Sequence, residues 1–158
     1  MTEEKKFYIT KEGLKKIKKE YEILKNLRSA KTRGEAPKIW ESEDLNPDYL
    51  AFQEDLSFIE TKISELGNIL KNVILIKSPR KKEERKVVGL GARIVVEIDH
   101  EVKDEFTIIG TLEANPSLGK VSDESPVGRM LLGHKVGDEI VVSSPIKTFY
   151  KIKKIKYS

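Results

Sequence analysis

Asn46-Pro47-Asp48-Tyr49-Leu50-Ala51-Phe52-Gln53-Glu54-Asp55-Leu56 opens the stretch that decides the fold, and it runs on to Val73. Asn46, Pro47 and Asp48 read as an N-cap, a proline at the first helical position, where its missing N–H is no loss, and an acid beside the positive helix end. Tyr49, Phe52, Leu56, Ile59, Ile63, Leu66, Leu70 and Val73 then recur at spacings of three and four without a miss. This is a heptad seam on one face of a helix. The other faces are polar, so the seam fits a two-helix coiled coil better than the core of a globular bundle.

Upstream, Thr10 is a good N-cap and Glu12 follows it in the first turn. Leu14, Ile17, Tyr21 and Leu24 form a second stripe, with lysines on the other faces. Gly34 and Pro37 end or kink that helix. The connection to the second helix is short, which predicts antiparallel neighbours. Residues 1–77 are therefore expected to be a coiled-coil hairpin.

Downstream, Ser78 to Lys86 is a charged linker that begins with Ser-Pro. After it the apolar period falls to two. Arg93–Ile98, Glu105–Ile109, Glu139–Val142 and Thr148–Ile152 read as strands, Pro126–Leu132 as a short helix stopped at Gly133, and Gly137-Asp138 as a turn. Residues 87–158 are expected to be a small sheet with one helix, making the whole chain α+β.

The 158 residues are 38% hydrophobic and 35% charged, a balance that suits a hairpin with much exposed surface. Cysteine is absent, which excludes disulfides and thiolate metal sites. The N-terminus lacks the apolar core of a signal peptide, and no apolar run nears the roughly 20 residues of a membrane span. A cytoplasmic monomer without membrane contact is expected.

Charge is segregated along the chain. Residues 11–31 hold eight lysines and arginines against three glutamates, whereas residues 41–60 hold seven acids and no lysine or arginine. Segregation of this kind costs self-repulsion that mere solubility does not require. Lys18, Lys25, Arg28 and Lys31 are candidates for contact with nucleic-acid phosphates or an acidic channel wall; their plainer reading is a solvated helix face. Glu41, Glu43, Asp44 and Asp48 cluster where the hairpin turns over. A solvated turn explains them, and so does a hard-cation site, since magnesium takes oxygen ligands and often uses only one or two carboxylates. Trp40 beside them packs locally or touches a partner. His100 and His134 fall near turns without a third ligand, and Gly89-Leu90-Gly91 lacks the phosphate-loop pattern.

Several blocks together resemble the GreA/GreB family of transcript cleavage factors. They are Tyr8-Ile9-Thr10-Lys11-Glu12-Gly13-Leu14, Asn46-Pro47-Asp48-Tyr49, Gly110-Thr111-Leu112-Glu113-Ala114-Asn115, and Ser125-Pro126-Val127-Gly128-Arg129-Met130-Leu131-Leu132-Gly133 with Val136-Gly137-Asp138-Glu139. The resemblance implies an FKBP-like C-terminal domain that grips the rim of the RNA polymerase secondary channel. It also implies a coiled coil that enters the channel toward the RNA 3′ end. Glu124, Ser125 and Pro126 would then dock on the polymerase. Asp44, with Glu43 next, would help hold a magnesium ion shared with the polymerase site, which itself cuts backtracked RNA. No tightly bound cofactor and no self-sufficient catalysis is expected.

The chain departs from the family pattern at Glu43-Asp44-Leu45-Asn46-Pro47-Asp48-Tyr49. The simplest alignment deletes two residues, including the second tip acid, and puts Glu43 in place of a glycine. A non-cleaving regulator that occupies the same channel is the alternative. Prolyl isomerase activity follows from the implied fold alone, and fold does not carry activity.

Overall fold

The computed structural model describes residues 5–34, 47–143 and 145–157. Glu41, Glu43 and Asp44, and Trp40 beside them, lie outside the described residues. The chain divides into two compact units, one of Leu14–Asn72 and one of Lys5–Gly13 with Val73–Ser158.

The first unit is an antiparallel pair of helices, α1 (Lys11–Arg33) and α2 (Pro47–Lys71). Tyr21, in the middle of α1, lies beside Gly67, late in α2. Lys31, late in α1, bonds Asp55 at 3.2 Å and lies 5.6 Å from the Phe52 ring centre. The predicted seam is the covered one: Ile59 and Ile63 are buried, and Phe52, Leu56, Leu66 and Leu70 are half-buried. Leu14, Ile17, Tyr21 and Leu24 are likewise half-buried. Two half-covered stripes are what a two-helix hairpin allows, because each helix covers only one face of the other. Past the end of α2, buried Asn72 donates its amide to the Asn68 carbonyl at 3.0 Å, and its backbone N–H donates to Ile69.

In the second unit, β1 (Phe7–Ile9) and β2 (Val73–Leu75) pair in parallel, and Ile76 N–H donates to the Ile9 carbonyl at 2.8 Å. A short helix, α3 (Lys82–Arg85), occupies the predicted linker. A five-stranded sheet follows, built from β3 (Arg93–Ile98), β4 (Val102–Ile109), β5 (Lys120–Ser122), β6 (Glu139–Val142) and β7 (Thr148–Lys156) in the order β5-β4-β3-β7-β6. Only the β4–β5 pair of this sheet is parallel. The helix α4 (Pro126–Leu131) supplies Leu131 to the core, where Ile94, Val96, Ile108, Phe106, Ile140 and Ile152 meet. Those residues alternate along their strands, as a sheet with one covered face requires.

Strand β7 is longer than its period predicts because it contains a bulge. Val95 faces Lys154 while Val96 faces Ile152, leaving Lys153 as the extra residue. Ile152 and Ile155, three apart, thus both pack on the core. Asp99, His100 and Glu101 join β3 to β4; Asp99 and His100, with φ of 51° and 62°, form a mirror-image turn closed by Glu101 N–H donating to Ile98. The Asp99 carboxylate accepts from Phe149 N–H at 2.9 Å.

These units differ from the 1–77, 78–86 and 87–158 division read from periodicity. Residues 5–13 and 73–86 group with the sheet unit: β1 and β2 form a separate two-stranded pair, and Thr10 is bonded to Glu113 of that unit. Strands of three residues carry too little pattern to be seen in sequence.

Two glycines make opposite predictions. A β-carbon on Gly67 would meet Tyr21 no closer than 3.7 Å, which is ordinary contact. Gly67→Ala should therefore stabilise the hairpin by about 0.5–1 kcal/mol through helix propensity. A β-carbon on Gly128 would collide with the Ser122 carbonyl. Gly128→Ala should cost at least about 2 kcal/mol. Urea denaturation of the full chain, followed by circular dichroism, reads both.

Candidate functional site

The Ser122–Pro126 loop is held from several sides. Ser125 caps α4: its hydroxyl accepts from Gly128 N–H at 3.0 Å and donates to the Ser122 carbonyl at 2.7 Å. Pro126 follows at the first helical position, where its fixed φ is already helical. Ser122 Oγ lies 2.8 Å from Thr111 Oγ1 and accepts from Glu124 N–H at 3.1 Å. Thr111 donates to Glu124 Oε2 at 3.1 Å, and Lys5 Nζ lies 3.6 Å from Glu124 Oε1. Glu124 and Pro126 are exposed and Ser125 is half-buried, so three predicted docking residues form one fixed, outward segment.

Beside this segment is a cleft of about 150 Å³ between residues 5–8, Gly110–Leu112 and Asp123-Glu124. Gly110 makes it possible, since a β-carbon there would run into the Tyr8 carbonyl. Across the same unit, Glu113 takes the Thr10 N–H at 2.7 Å and the Thr10 hydroxyl at 2.5 Å, while Thr10 Oγ1 accepts from Gly13 N–H at 3.1 Å. Thr10 is thus the N-cap its sequence position predicts, and Glu113 ties residues 10–13 to the sheet unit. Lys5 and Asp123 carry no sequence signal of their own, because they matter only through contacts distant in the chain; Thr111 and Glu113 lie in a block that resembles the family, but their partners show only in the fold.

The other predicted residues fall in two groups. On α1, Lys18 is exposed. Lys25 bonds Glu22 at 2.9 Å and lies 4.6 Å from the Tyr21 ring centre, Lys31 bonds Asp55, and Arg28 is half-buried. Asp44 and Glu43 belong to the undescribed connection, and Asp48 is in the first turn of α2. Among the described residues no group of three His, Asp or Glu side chains is placed to hold a metal ion. His134 lies 3.1 Å from Asp138 and His100 3.8 Å from Glu97, each a local pair at a turn. No helix of the described residues is long and apolar enough to cross a membrane.

The fold and loop together define a two-unit protein, a heptad-striped helical hairpin joined to a small sheet unit that presents a rigid acidic segment. The chain belongs to the GreA/GreB family of transcription elongation factors. The family's N-terminal part matches residues 7–74, and the part described as "Transcription elongation factor, GreA/GreB, C-term" matches residues 82–157. Transcription elongation factor GreA of Thermomicrobium roseum is 40% identical over 139 residues, which cover 87% of this chain and 88% of that one. GreA of Clostridium acetobutylicum is 38% identical over 150 residues, 92% of each chain. Among solved structures, the GreA factor homologue Gfh1 of Thermus thermophilus is 25% identical with a TM-score of 0.41, covering 96% of this chain and 99% of that one.

Burial, and then the charge of Glu124, hold the Asp123 carboxyl above its ordinary value. An acid raised in the folded state binds its proton more tightly folded than unfolded, so stability falls as pH rises through that window. Asp138 is held low, first by the Lys135 N–H and then by His134, so its contribution is lost as pH falls. Asp123→Asn should accordingly raise the melting temperature at neutral pH, by on the order of 1 °C. Asp138→Asn should lower it, and both differences should vanish in acid, as a thermal scan across pH would show.

Proposed function

We propose that this chain is a transcription elongation factor that binds RNA polymerase through its sheet unit. In this reading it inserts the hairpin into the secondary channel and stimulates cleavage of backtracked RNA. The observation that carries the proposal is membership of the family over both units, combined with Glu124-Ser125-Pro126 standing rigid and outward on the sheet unit.

The segment joining α1 to α2 supplies Glu41, Glu43 and Asp44, and Asp48 follows at the start of α2. Carboxylate oxygens suit magnesium, and a few of them without a complete cage suit an ion shared with a second macromolecule. A magnesium ion held jointly with the polymerase site would supply an activated water and a charge to stabilise the leaving oxygen. Asp44 and Glu43 would serve as its ligands from this chain. Catalysis itself remains the polymerase's.

The shortened sequence between Asp44 and Tyr49 favours a second reading, a channel-binding regulator without cleavage. The two separate on one measurement, magnesium-dependent cleavage by a backtracked complex of a cognate polymerase. Cleavage should appear with the wild-type chain and fall at least about tenfold with Asp44→Asn, since losing a ligand costs no less than losing a group that orients one. Binding should stay unchanged. If the wild-type chain binds but no cleavage appears at any magnesium concentration, the regulator is the correct reading.

Docking has its own test. Replacing Glu124 and Pro126 together by alanine should weaken polymerase binding by about 10–100-fold, the effect of losing 1–3 kcal/mol of contact. Undiminished affinity, or a collapse in thermal stability instead, would assign both residues to the fold alone.

A further inference from the structure

The face of the five-stranded sheet opposite its core is strongly and unevenly basic. At one end, Lys120, Thr107, Arg93 and Lys156 face one another across β5, β4, β3 and β7. In the next row Lys154 of β7 faces Val95, which faces Glu105. Acids accompany some of these cations: Arg93 bonds Glu105 at 3.0 Å, and farther along Lys153 bonds Glu97 at 3.3 Å. Lys120, Lys154 and Lys156 are exposed, and among the described residues no carboxylate lies within ion-pair distance of them. The like charge of Lys156 beside it holds the Lys154 ammonium below its ordinary value, against the opposing pull of Glu105. Crowded cations that outnumber their acids raise the energy of the free protein, and an anion relieves that cost. A hollow of about 400 Å³ lined by Arg93, Thr107, Lys156 and Tyr157 lies in the same place.

We propose that this end of the outer sheet face binds the phosphate backbone of duplex DNA without regard to sequence. Lysines dominate the patch, and lysine acts on phosphate as a point charge, whereas base reading relies on bidentate arginine, asparagine or glutamine. Among the described residues, the aromatic at the patch is half-buried Tyr157, whose hydroxyl is already committed to the Val87 carbonyl at 2.6 Å. Single-stranded nucleic acids are gripped through stacked aromatics; the exposed Phe149 of this face lies opposite Val141 at the far end of the sheet, away from the lysines, so the charge here suits a duplex backbone. The choice of DNA over another duplex rests on the reading as a transcription factor. The binding itself needs no polymerase, so its failure would leave that reading untouched. On such a surface the sheet unit would hold a weak grip on template DNA alongside its protein contact.

The test is fluorescence anisotropy of the full-length protein with a labelled duplex of arbitrary sequence at low salt. Binding should weaken as salt rises, with a log–log slope of about −3 to −4 for four phosphate contacts. The triple change Lys120→Gln, Lys154→Gln and Lys156→Gln should lose at least tenfold in affinity and flatten the slope to about −1. Lys154→Arg with Lys156→Arg should bind as the wild type does, showing that charge and not folding was removed. A control triple on α1, Lys15→Gln, Lys16→Gln and Lys19→Gln, should leave binding within twofold. The proposal is overturned if the wild-type protein fails to bind, or if the α1 triple and not the sheet triple abolishes binding. It is equally overturned if single-stranded RNA is preferred through the same lysines, or if polyglutamate binds the patch while duplex DNA does not.

Discussion

The parallel pairing of Phe7–Ile9 with Val73–Leu75 is the contact through which the chain enters and leaves its helical hairpin. It joins segments far apart in sequence, and the entropy of closing so long a loop grows only slowly with its length. Ile9 is fully buried, and Ile76 extends the pairing by one more hydrogen bond. Glu113 then takes both donors of Thr10, a charge-assisted pair of bonds stronger than a neutral hydroxyl cap would give. Without this closure, residues 5–13 would have no sheet to belong to. The cleft beside Glu124 would also lose one of its walls, since Lys5 to Tyr8 line it.

Much of this was legible in the amino-acid order, for reasons that are local. The α2 seam is written in eight apolar residues at fixed spacing, and its first turn in Asn46-Pro47-Asp48. The structure buries that seam and begins the helix at Pro47. Ser125 and Pro126 similarly announce the start of α4. The illegible parts are those made by distance. β1, β2 and β5 have three residues each, too few to show a period. The cleft beside the Ser122–Pro126 loop is built from residues 5–8, 110–112 and 123–124, which only the folded chain brings together. The basic lysines of α1 show a different limit: composition revealed their number, but only the structure shows Lys25 and Lys31 engaged with neighbouring carboxylates and rings.

The two units place charge by different means. Along the hairpin, sign is divided by segment, with cations on α1 and acids from Glu41 onward. In the sheet unit it is divided by position, with acids on the Asp123-Glu124 loop and lysines on the open face of β5 and β7. The first arrangement can be read off a line of text. The second depends on which way each strand residue points, and so on register.

That dependence is sharpest at the bulge in β7. Counted strictly by twos from Ile152, the strand would turn Lys154 and Lys156 into the core and Ile155 out to water. One supernumerary residue, Lys153, resets the phase. It works as a frame correction in the spatial sense: upstream and downstream halves of the strand are each in step with the sheet but out of step with each other. Length at this point is therefore a more stringent constraint than residue type. A conservative replacement of Lys153 keeps the two halves in phase, whereas inserting one further residue beside it inverts every side chain from there to the end of the strand.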